Sequence, residues 1–187
     1  MVAEHRLQSP LELLFCNVDM PKRIESRTKS SKLRGGSGGD HLAPERLMSV
    51  LHIDDDPNDT ELLRAATRHA KLKLELHNVE DGDKAIAYLN GLGPYANRAL
   101  YPLPSLILLD LKMPRATGFE ILKWIRNHPE LGHLPVVILS GSELRDDIRD
   151  AYSIGANSYL IKPLGFDALV EMVKEVGAVW LPTANSR

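Results

Sequence analysis

The chain has a single cysteine, Cys16, so no internal disulfide can form, and a reducing compartment fits. It contains no run approaching the ~18 apolar residues of a membrane span. The longest early apolar cluster, Leu11–Phe15, is broken by Glu12, so the N-terminus does not read as a signal peptide. A net charge of −2 gives no overall bias toward nucleic acid. With 43% hydrophobic and 26% charged residues, the 187-residue chain has the composition of an ordinary soluble protein, and a cytoplasmic location is the default expectation. That length suits one domain with extensions.

Residues 1–46 differ in character from the rest of the chain. Six basic residues and one acid, Glu25, lie between Lys22 and Arg34, followed by Gly35-Gly36-Ser37-Gly38-Gly39. Few apolar residues recur at any period, which predicts a disordered basic, glycine-rich extension. Two readings stay open for it. It is a basic arm for an acidic partner, or a solvated tail, including read-through upstream of a start at Met48.

From residue 47 strands and helices alternate. Strands are expected at 47–53, 72–76, 105–110, 134–140 and 158–161. Helices are expected from Asp56-Pro57 to Ala70, and over 83–89, 118–127, 144–154 and 166–176. Leu62, Leu63, Ala66 and Ala70 would form the first helix's apolar stripe, and Phe119, Leu122 and Ile125 that of the third. Residues 90–104 hold three prolines and two glycines and read as a long loop. Such alternation predicts an α/β fold: a doubly wound, five-stranded parallel sheet with helices on both faces. Right-handed crossovers bring all C-terminal strand ends to one edge, where ligands bind.

At that edge the strand ends carry Asp54 and Asp55, then Asp110, Ser140 and Lys162. Three crowded carboxylates repel unless a cation relieves them. Mg²⁺ suits two or three such oxygens plus waters, and it also binds phosphate. The edge therefore reads as a place where a phosphoryl group meets Asp110 beside a metal. Asp56 reads as a helix cap and His52 as a core or surface histidine.

The segments HIDDDPND (52–59), LILLDLKMP (106–114), VVILS (136–140) and GANSYLIKP (155–163) together resemble the receiver domains of two-component response regulators, over residues 47–181. The resemblance implies a flavodoxin-like fold with strand order 2-1-3-4-5, and 182–187 as a short tail. It implies that Asp110 takes a phosphoryl group from a sensor histidine kinase or phosphotransfer protein. Asp54, Asp55, Asp110 and the Lys112 backbone carbonyl would hold Mg²⁺. Ser140 and Lys162 would bind phosphoryl oxygens, Ser140 and Tyr159 would act as the switch pair, and the Lys162–Pro163 bond would be cis. Gly141 stands where the family often has alanine. Lys112 and Ser142 occupy positions that tune phosphoryl lifetime.

The loop at 91–104 and Trp180-Leu181 resemble single-domain regulators found beside phytochrome-type kinases. That likeness implies a stand-alone receiver with no DNA-binding domain, and a homodimer through the helix 4–strand 5–helix 5 face. Self-phosphorylation from phosphohistidine and autodephosphorylation would be its only catalysis. A receiver-like scaffold that binds partners without phosphorylation is the alternative. A dehalogenase-type phosphatase wants a second acid where Lys112 sits. A nucleotide-binding protein wants a glycine- or hydroxyl-rich loop where Asp54-Asp55-Asp56 would repel phosphate.

Overall fold

The structure, a computed structural model, describes residues 47–114 and 117–180. The basic extension, Leu181 and the tail at 182–187 lie outside them. The order of elements is β1 (Met48–Ile53), α1 (Pro57–His69), β2 (Leu74–Val79), α2 (Gly82–Asn90), β3 (Leu106–Leu109), α3 (Gly118–Asn127), β4 (Val136–Ser140), α4 (Arg145–Ile154), β5 (Ser158–Ile161) and α5 (Phe166–Trp180). All strands are parallel, in the order β2-β1-β3-β4-β5. Helix α1 packs with α5, while α2, α3 and α4 follow one another in contact.

The unbroken run Leu106–Leu109 now has its reason. β3 is central, and its four side chains are all buried, at 6% exposure or less. Each contributes roughly 2 kcal/mol by leaving water. The neighbours Leu51, Ile53, Val136 and Ile138 are just as dry.

Short polar signals set the helix starts. The Asp56 side chain accepts the Asn58 N–H at 2.8 Å, and Pro57 begins α1 with its fixed φ. Asp81 caps α2 through the Lys84 N–H at 2.7 Å. Glu120 accepts both the N–H and the hydroxyl of Thr117 at the start of α3.

Several expectations are corrected. β2 lies at 74–79, two residues past the Leu72 alternation that suggested it, because its register with β1 runs Met48–Leu74 through Ile53–Val79. Leu62 is 48% exposed, and Thr60 and Thr67 take buried places on α1 instead. Phe119 is half-buried while Ile121 is buried. α5 continues to Trp180, with Gly177 buried inside it.

The long loop contains a 3-10 turn, Gly93–Tyr95. Arg98 folds back from it to donate to the carbonyls of Tyr88 (2.7 Å), Leu89 (2.7 Å) and Tyr101 (3.2 Å). The Leu89 contact satisfies a carbonyl left over at the end of α2, and the Tyr88 carbonyl accepts the guanidinium as well as the Gly91 N–H. Tyr88, Tyr95 and Tyr101 pack ring to ring beneath it, with centroids 5.2–6.0 Å apart.

Candidate functional site

Register decides what meets at the C-terminal edge. Ile53 lies opposite Leu109, so Asp54 and Asp110 leave adjacent strands side by side. The Asp110 N–H donates to the Ile53 carbonyl at 3.0 Å, and the Asp54 N–H to that of Val79 at 3.0 Å. On the other side Ser140 pairs with Ile161, and the Lys162 N–H donates to the Ser140 carbonyl at 2.9 Å.

Carboxylate oxygens of Asp54, Asp55 and Asp110 lie within 4.8 Å of one another. Asp54 and Asp110 are buried, and Asp55 is exposed. Hard oxygen donors at this spacing fit a divalent cation such as Mg²⁺. Asp54 is the most committed of the three. Its Oδ1 accepts the Asp56 N–H at 2.9 Å and its Oδ2 the Lys162 ammonium at 2.7 Å. The His52 Nε2 stands 3.3 Å from the same Oδ2, and Asn78 donates to the Asp54 carbonyl. Asp55 makes no hydrogen bond or ion pair among the described residues, so its oxygens are free to face a cation.

Lys162 reaches Asp54, Asp59 and Asp110 at 2.7, 2.7 and 3.0 Å. Burial alone would favour a neutral amine, yet the three carboxylates raise its pKa above the ordinary lysine value. Burial alone would likewise push the Asp54 carboxyl up. The contacts from His52, Lys162 and the Asp56 N–H prevail and hold it at about 2.

Backbone geometry around Asp110 is tight. Its Oδ1 accepts the Lys112 N–H at 3.2 Å, which brings the Lys112 peptide to the site while its side chain stays exposed. Gly118 sits so close that a Cβ there would lie 2.2 Å from the Asp110 carbonyl oxygen. Ser140 is fully buried. The Ser142 hydroxyl is turned toward the carboxylate of Asp147 on α4. Tyr159 is 4% exposed, and its hydroxyl donates to the Ser142 carbonyl at 2.9 Å, so the ring already points inward. Burial raises the phenol's pKa.

The expected cis bond is corrected: no cis peptide occurs among the described residues, so Lys162–Pro163 is trans. Trans is the lower-energy form even before proline, and Lys162 reaches its three acids from it.

Two residues escaped the sequence reading. Asp59, present in the sequence only as the last letter of the 52–59 segment, is a direct partner of Lys162. His52, left open between core and surface, is fully buried beneath Asp54, with its Nδ1 3.3 Å from the Thr60 hydroxyl. One signal was available for Asp59. It lies on the turn directly after the Asp54–Asp56 run, so α1 must begin against the same edge.

Comparison with known proteins agrees with this geometry. Residues 50–174 match the family model for the response regulator receiver domain. The response regulator Rcp1 of Synechocystis sp. is 35% identical over 136 residues, covering 73% of this chain and 90% of that protein. The phosphorylated cyanobacterial phytochrome response regulator RcpA has a TM-score of 0.67 at 36% identity, covering 75% of this chain and 98% of that one. The Mn²⁺-bound form of Rcp1 has a TM-score of 0.65 at 34% identity, covering 74% and 97%. With its strand order, its trio of edge carboxylates, and the buried Ser140 and partly buried Lys162 beside them, the chain belongs to the response regulator receiver family of two-component signalling.

Proposed function

We propose that Asp110 is the phosphoacceptor of a two-component phosphorelay, receiving its phosphoryl group from a histidine kinase or a histidine phosphotransfer protein. The observation that carries this reading is the Lys162 ammonium 3.0 Å from an Asp110 carboxylate that also belongs to a three-acid cluster. An Asp110 oxygen attacks the phosphorus of phosphohistidine. A P–O bond forms, the P–N bond breaks, and the imidazole leaves with its electron pair and takes a proton. Chemistry of this kind depends on placement and charge stabilisation.

Asp54, Asp55, Asp110 and the Lys112 carbonyl hold Mg²⁺ in this reading. When bound, it offsets the charge of the transferring group. Lys162 neutralises a second phosphoryl oxygen, and Ser140 donates its hydroxyl to a third. The aspartyl phosphate adds roughly −1.5 to −2 of charge by analogy with other phosphorylated side chains.

Readout passes through Ser140 and Tyr159 to the face of α4, β5 and α5. There Leu144, Ile161 and Leu164 are exposed, which suits an interface between two copies of this chain. Among the described residues no helix is long and apolar enough to cross a membrane, in keeping with a cytoplasmic partner for a sensor kinase. The protein acts stoichiometrically, its only catalysis being its own phosphorylation and dephosphorylation.

The test is incubation with acetyl phosphate and Mg²⁺, read by intact mass. Wild type should gain one base-labile phosphoryl group and Asp110→Asn none. Labelling of neither would favour a scaffold that binds partners without phosphorylation; equal labelling of both would put the phosphoryl group on another residue and refute the Asp110 assignment.

A further inference from the structure

The lysine at the site has a partner that the receiver reading does not call for. An ammonium has three N–H donors, and Lys162 uses one on each of three carboxylates. Two of these, Asp54 and Asp110, belong to the acidic trio. The third, Asp59, does not. It comes from the first turn of α1, 103 residues away in sequence, and bonds Lys162 at 2.7 Å, as closely as Asp54 does. Lys162 is its only partner among the described residues. The Asp59 side chain is 35% exposed, so burial does not force the contact.

The three bonds are not equivalent. Phosphorylation converts the Asp110 carboxylate into an acyl phosphate, a mixed anhydride, and removes the carboxylate charge that holds the third N–H. The bonds to Asp54 and Asp59 survive that change. Between them they grip the ammonium from β1 and from α1, leaving one donor directed at Asp110. We propose that Asp59 is a positioning residue for phosphoryl transfer: with Asp54 it fixes the Lys162 ammonium so that its remaining N–H passes from the Asp110 carboxylate to the incoming phosphoryl oxygen. This rests on Asp110 being the phosphoacceptor.

A lysine has a flexible four-carbon stem. With one flanking acid it can swing about that acid; with two it cannot. The start of α1 sets the second anchor. Asp56 caps the helix and Pro57 fixes its first residue, which places Asp59 on the turn facing the sheet edge. Asp59 touches the reaction only through Lys162, so its loss should slow transfer without loosening the metal.

The experiment uses the full chain as wild type, Asp59→Ala and Asp59→Asn, with three readouts. In metal-free protein, lysine-selective ¹⁵N NMR follows the Lys162 ammonium, assigned with Lys162→Arg. Uptake from acetyl phosphate is measured at saturating Mg²⁺, and Mg²⁺ affinity by calorimetry. In Asp59→Ala the ammonium signal should broaden into water exchange. Uptake should fall about tenfold, the scale on which small misplacement of a reacting group acts, with Mg²⁺ affinity unchanged. Asp59→Asn keeps an acceptor oxygen and should restore most of the rate.

Uptake by Asp59→Ala at the wild-type rate or faster would overturn the proposal and make Asp59 a mere competitor for the lysine. A parallel loss of Mg²⁺ affinity would also overturn it, since Asp59 would then act through the metal. A labelled wild type with an unaffected Asp59→Ala sinks this inference alone. A wild type that takes up no phosphoryl group sinks the phosphoacceptor reading with it.

Discussion

Replacing Asp55 by asparagine should make the metal-free protein more stable and the metal-loaded protein relatively less so. Asp55 lies within 4.8 Å of Asp54 and Asp110 through its nearest oxygens, and it has no bond to lose. Two unit charges at that distance repel by about 0.9 kcal/mol at the dielectric of water. The water value applies because Asp55 is exposed, and salt screens it further. The two pairs sum to under ~2 kcal/mol, and attraction from the nearby Lys162 offsets part of that. A net gain of roughly 1 kcal/mol corresponds to about 3 °C in Tm for a domain of this size.

Mg²⁺ reverses the order. Wild type gains about 2.7 kcal/mol at a hundredfold excess over its Kd, whereas Asp55→Asn has lost the one ligand with no competing bond. Thermal unfolding by circular dichroism, in EDTA and in excess MgCl₂, should therefore show the two curves exchanging places. A variant less stable than wild type in EDTA would refute the charge-crowding argument. Equal stabilisation of both proteins by Mg²⁺ would refute the ligand assignment.

Three more outcomes can be checked. Asp54 has its pKa lowered from 3.8 to about 2, so its contribution of roughly 2 kcal/mol is complete above pH 3.8 and disappears as pH falls through 2; acid unfolding of Asp54→Asn should lack that component, and an unchanged acid limb would refute it. Gly118→Ala drives a Cβ to 2.2 Å from the Asp110 carbonyl and 2.8 Å from the Leu111 Cα, and since backbone cannot yield as a side chain can, urea unfolding should show a loss of about 2–4 kcal/mol, contradicted by a loss under ~0.5 kcal/mol. Arg126 donates to Gly155, Gly132, Leu134 and Asn157, and Arg126→Met should cost about 3 kcal/mol in the same assay, with a cost below ~1 kcal/mol arguing that water replaces those bonds.

The sequence made the central strands legible because burial on both faces leaves no room for polar residues. Leu106–Leu109 and Val136–Leu139 could hardly be anything else. β2 was displaced because its far half, His77-Asn78-Val79, hides its packing behind polar letters. His77 stacks near Tyr88, and Asn78 donates across to the carbonyls of His52 and Asp54. Hydropathy cannot register a histidine held by its ring contact or an asparagine bonded to the carbonyls of the neighbouring strand. Asp54, Asp55, Asp110 and Lys162 were readable because strand ends in a parallel sheet share one edge. Asp59 and His52 were not, since their roles depend on the angle at which α1 leaves that edge.

Arg98 carries a consequence for the loop it anchors. Fourteen residues rich in proline and glycine would ordinarily offer slack to a protease. Here one guanidinium grips the last carbonyls of α2 from beyond the bend, and three tyrosine rings fill the hollow beneath. The segment is therefore an appendage of that helix rather than a tether between two elements, and whatever shifts α2 carries Leu92 and Leu100 with it as a rigid outrigger.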